Sequence, residues 1–97
     1  MNVAVCRLTL NMPENSTIKD KRQVVRSLCS RVRNKFNVSI AEVGANDLWQ
    51  SSIIGISCVS NDSRHAQQTM DNVVGYIRES RLDAEVVECE VEIVSGF

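Results

Sequence analysis

Ninety-seven residues with 43% apolar and 24% charged side chains and a formal net charge of −1 make a single domain around one core, too short for two. No run approaches the ~18 apolar residues of a membrane helix, and the N-terminus enters a strand-like pattern with no basic segment ahead of an apolar one, so no secretory signal is expected. The four cysteines, Cys6, Cys29, Cys58 and Cys89, are widely spaced with no C-x-x-C pair, which points to a cytoplasmic protein with reduced thiols.

Residues 2–12 alternate, with Ala4, Cys6, Leu8, Leu10 and Met12 on one side and Val3, Val5, Arg7 and Thr9 on the other. Period two predicts a strand with one buried face, ended by Pro13, which cannot donate to a sheet ladder. A helix follows over 16–36, capped by Ser16 or Thr17; Thr17 and Asp20 have capping-box spacing. Val25, Leu28, Cys29, Val32 and Phe36 form its apolar stripe, and Asn37 is its expected end. A short strand is predicted at 38–43, a turn at Gly44-Ala45-Asn46-Asp47, and a third strand at 53–60. That strand is apolar on both faces, which suits a central position. A second amphipathic helix spans about 62–80, with Ala66, Met70, Val73, Val74 and Ile77 inward. In the last strand Val87, Cys89, Val91 and Ile93 alternate with Glu88, Glu90 and Glu92. The order β-α-β-β-α-β predicts a ferredoxin-like α+β sandwich over 1–97. Its four-stranded antiparallel sheet carries both helices on one face. Strands one and three are central, and the carboxylates of strand four suit an edge.

Charge is unevenly distributed. Residues 16–36 hold seven of the eleven basic residues and one acid, about +6, and the remaining four bases and eleven acids leave about −7. Basic residues late in a helix complement its dipole, but Lys19, Lys21 and Arg22 sit at the opposite end.

The stretches STIKDKR at 16–22 with Val24 and Val25 after it, FNVSIAEV at 36–43 and DLWQ at 47–50 together resemble the YlxP-like family of small bacterial proteins. VSND at 59–62 and the closing strand from Glu85 to Ile93 match as well. The resemblance implies a ferredoxin-like fold and a bacterial cytoplasmic protein. Family members tend to be encoded among genes for transcription, translation initiation and ribosome maturation, which implies RNA or the ribosome as a partner. The family supplies no catalytic residues, and fold alone does not license a function.

The predicted topology gathers loops 11–18, 44–52 and 79–84 at one pole. Ser16, Thr17, Lys19, Lys21 and Arg22 would there lie near Trp49, Gln50 and Arg81. Free N–H groups and the dipole at a helix N-terminus attract phosphate, cations add to it, and an aromatic ring can stack a base. The expected phosphate or RNA contact continues along the flank of Lys19, Arg22, Arg26 and Arg33; the plainer alternative is a solvated helix face beside a structural Trp. Three carboxylates and no aromatic on the outer sheet face argue against RNA there. Val3 and Val5 on that uncovered face, with Trp49, instead suggest a homodimer surface. His65 reads as a solvent-exposed first-turn residue and the cysteines as small hydrophobes. Glu14, Asp47 and Asp83 share the loop pole as ordinary loop acids. No Walker, GxGxxG, G-x-S-x-G or HExxH sequence is present, so the chain is expected to be non-catalytic, without metal or cofactor and without membrane contact.

Overall fold

The alternation and amphipathic periods of the sequence resolve, in a computed structural model describing residues 1–80 and 83–97, into six elements. These are β1 (Asn2–Asn11), α1 (Ile18–Lys35), β2 (Ser39–Gly44), β3 (Ser51–Ser60), α2 (Ser63–Glu79) and β4 (Glu85–Ser95). The strands form one sheet in the order β2-β3-β1-β4, every neighbour antiparallel. This is the ferredoxin-like sandwich, with β1 and β3 central and β2 and β4 at the edges. Among the described residues no helix is long and apolar enough to cross a membrane.

The period-two side of β1 (Ala4, Cys6, Leu8, Leu10) meets Ile54, Ile56 and Cys58 of β3 and Ile40 of β2, and both helices press their stripes onto that layer. Val25, Leu28, Cys29 and Val32 come from α1; Ala66, Met70, Val73 and Ile77 come from α2. Phe36 is the C-cap of α1, one residue before Asn37. It packs edge-on against Tyr76, ring centroids 5.6 Å apart, and Lys35 lies over the same tyrosine ring, so the two helices are joined where α1 ends.

The last strand departs from the simple alternation. Thr9 pairs with Glu88 but Leu10 pairs with Val86, a register shift that leaves Val87 without a partner on β1. Val87 is consequently exposed and Val86 packs against the core in its place. A bulge adds one residue on one strand and turns the alternation over, which a strict period-two reading of 87–93 does not anticipate. Beyond the bulge Glu88, Glu90 and Glu92 stand on the outer face opposite Thr9, Arg7 and Val5.

Candidate nucleic-acid interface

The first turn of α1 is closed by its own sequence. Thr17 is the N-cap: its hydroxyl accepts from the Asp20 N–H at 3.1 Å. The Asp20 carboxylate reaches back and accepts from the Ser16 and Thr17 N–H groups at 3.0 and 3.1 Å. Those bonds, Ser16 first, hold the Asp20 carboxyl below its ordinary value. A negative charge of the protein itself therefore sits where the phosphate was expected. Ser16 and Thr17 serve the cap.

Lys21 also has a different duty from the one its charge suggested. It is fully buried, and its ammonium donates to the carbonyls of Ala45, Asn46 and Ser51 at 2.6, 3.0 and 3.3 Å. Glu42 Oε2 lies 3.0 Å away. The Glu42 carboxylate is completed by the Ser52 hydroxyl at 2.5 Å and the Asn46 side-chain amide at 3.2 Å. Lys21 is thus removed from the candidate interface, because a buried ammonium with four acceptors cannot meet a ligand in solvent. Its position carried the signal: Lys21 lies four residues before Val25 and seven before Leu28, inside the apolar stripe rather than on its flank. Glu42 follows Ile40 on the inward-facing alternation of β2 and is its natural counter-charge.

The other cations of α1 are exposed: Lys19, Arg22, Arg26, Arg31, Arg33 and Lys35. Arg33 donates to the Ile40 carbonyl at 2.8 Å, tying the last turn to edge strand β2. The ion pairs among the described residues are Arg7–Glu90, Lys21–Glu42 and Arg64–Asp62. Within those residues, none of the six exposed cations has a carboxylate within 4.0 Å.

The loop pole forms, through backbone and amide bonds. Met12 N–H donates to the Gln50 carbonyl at 2.9 Å, the Asn15 amide to the Trp49 carbonyl at 3.0 Å, and the Gln50 amide to the carbonyls of Pro13 and Asn15, each at 3.2 Å. Gln50 is therefore a strut between loops. Trp49 is 51% exposed, but its surroundings are not the α1 cations. It lines a shallow depression of about 470 Å³ with Asn11, Asp47, Leu48, Gln50 and Ser51. Asn11 and Ser51 are paired outer-face positions, so the tryptophan opens toward the bare sheet face at the Asn11 end of β1. Val3 and Val5 pair with Val59 and Ser57 at the other end and do not share a surface with it. Arg81 lies outside the described residues. What remains of the expected site is a cation row on α1 without the tryptophan, the helix N-terminus or Lys21. Within the described residues no three His, Cys, Asp or Glu side chains gather as a metal site, and His65 is exposed on the first turn of α2.

Two sequence comparisons relate the chain to known proteins, and one structural comparison agrees with its architecture. A family model described as "Protein of unknown function (DUF503)" matches residues 3–91. The chain is similar to an uncharacterised protein named YlxP from Bacillus subtilis (strain 168), 39% identical over 61 residues, which is 63% of this chain and 66% of that protein. The aligned part thus spans just under two thirds of that relative. A de novo designed protein, Foldit4, has the same fold with a TM-score of 0.54 at 13% identity, covering 100% of both chains; at that identity the likeness concerns the fold alone.

Proposed function

The chain belongs to DUF503, a family of proteins of unknown function, and we propose that it is a non-catalytic binding module whose partner is RNA, free or ribosomal, held by the exposed cations of α1. The observation that carries this reading is the row Lys19, Arg22 and Arg26, with Arg33 further along, unpaired by any carboxylate within the described residues. Spaced three and four apart, these side chains are neighbours, and like charges at that spacing cost about 0.2–0.5 kcal/mol per pair. Lys19 and Arg22 also oppose the positive end of the helix dipole. Lys19, Arg22 and Arg26, unlike Arg33 with its bond to Ile40, make no ion pair or such bond among the described residues that would offset this, whereas a phosphate backbone would relieve the repulsion and release its own counterions.

The test is fluorescence anisotropy with a labelled single-stranded RNA across a salt series. Binding is expected to weaken linearly with the logarithm of salt, by about 0.7 per phosphate contact. The triple reversal Lys19→Glu, Arg22→Glu, Arg26→Glu is expected to flatten that slope by about 2. Absence of binding at low salt, or a slope the reversal leaves alone, overturns the proposal.

A further inference from the structure

The uncovered face of the sheet has a relief that runs across its middle rows. Pairing aligns Glu90, Arg7, Gly55 and Ala41 in one row from β4 to β2, and Glu92, Val5, Ser57 and Ser39 in the next. In the first row the β4–β1 half is a ridge, the exposed Arg7–Glu90 pair at 2.6 Å, bordered toward Val5 and Glu92 by a second depression of about 520 Å³. The β3–β2 half is a trough of about 320 Å³, floored by Gly55, Ala41, Ser39 and Ser57 and walled by Val5 and Val43.

Ridge and trough lie at the same level, on either side of the line between β1 and β3. We infer that a second copy of this chain covers the face, related by a two-fold axis that runs in the interface along the strands, between β1 and β3. That rotation keeps each row at its own level and exchanges its two halves. Arg7 of one copy then lies over Gly55 of the other, and Glu90 over Ala41. Such a self-complementary patch is what a two-fold contact requires. The alternative in-plane axis, across the strands, would lay one Glu88-Glu90-Glu92 column on its own image and stack like charges, which disfavours it. With the axis along the strands the two columns fall over the short edge strand β2 at opposite rims, apart from each other.

Strands of 10, 6, 10 and 11 residues, about 4.8 Å apart at about 3.3 Å per residue, give a face of roughly 600 Å². That matches the lower end of specific interfaces, about 600–1,000 Å² per partner, so the dimer is expected to be concentration-dependent, in the micromolar range. Both α1 helices point away from the contact, which leaves their cations free.

Sedimentation velocity on the full chain, from about 1 to about 200 µM, is expected to show a shift toward twice the 10.8 kDa chain mass. Filling the trough with Ser57→Arg or Ala41→Arg is expected to raise the dissociation constant at least about tenfold, with far-UV circular dichroism and melting temperature checking that each variant folds. Should both trough variants unfold, Val59→Lys, on the exposed end of the same face, is expected to weaken the dimer likewise. Because the facing ion pairs are neutral overall, association is expected to persist at salt that abolishes RNA binding. A monomer throughout the concentration range, or a dimer whose constant none of the folded face variants changes, overturns the inference.

Discussion

Replacing Lys21 by Met keeps the aliphatic stem in the core and removes only the ammonium. The substitution withdraws donors from the carbonyls of Ala45, Asn46 and Ser51 and leaves the mostly buried Glu42 carboxylate without its counter-charge. Removing one partner of a buried pair costs about 3–5 kcal/mol. A 97-residue domain has about 5–15 kcal/mol in total, so Lys21→Met is expected to remove about a fifth or more of the stability. Urea unfolding followed by circular dichroism measures it as a lower midpoint at unchanged slope. Adding Glu42→Gln to Lys21→Met is expected to recover part of the loss, with a coupling energy of at least about 1 kcal/mol. A loss below about 1 kcal/mol, or strictly additive effects, would mean that Lys21 is not the hub joining α1 to the β2–β3 turn.

Thr17→Ala is expected to cost about 1 kcal/mol by removing the N-cap, read in the same unfolding assay. Asp20, whose carboxyl is held low chiefly by the Ser16 N–H, stabilises the fold above its ordinary value of 3.8, and that contribution is lost as pH falls through the lowered value. Wild type and Asp20→Asn should therefore differ at neutral pH and converge in acid. The Cys6 thiol is pushed up to about 12, first by burial and then by Cys89 beside it. Its contribution is complete below the unfolded value of 9.0 and declines as pH rises from there toward 12. Cys6 should accordingly stay unlabelled by a thiol reagent at pH 8 until the protein unfolds, which mass spectrometry of the labelled peptide will show.

Element order and core faces were legible because they rest on period: the alternation of β1, the stripe of α2 and the capping spacing of Thr17 and Asp20 all fold as they read. The bulge opposite Thr9 and Leu10 was not, since a one-residue register shift depends on the partner strand and leaves no mark on the local pattern of β4. The candidate site was read less well than the fold, for a related reason. Lys21 was judged by its charge, although its place in the α1 stripe already put it inside. Topology puts Trp49 at the loop pole, but beside Asn11 and Ser51 rather than alongside the α1 cations as expected. Which way its ring opens depends on the Asn15 and Gln50 bonds that orient the loop, and the linear sequence does not show them.

The layering gives the molecule's field a direction. Cations without a carboxylate partner among the described residues ride on the helix layer, and Glu88, Glu90 and Glu92 project from the opposite face of the sheet. A polyanion approaching within a Debye length, about 8 Å at physiological salt, meets attraction from one side and repulsion from the other. The encounter turns the protein before any contact forms, so the opposed charges select the landing face during diffusion and act on the association rate. At concentrations where the chain is a single copy and the sheet face is open, neutralising the β4 carboxylates, which touch no part of the α1 row, should thus slow productive landing by letting that face compete for the ligand.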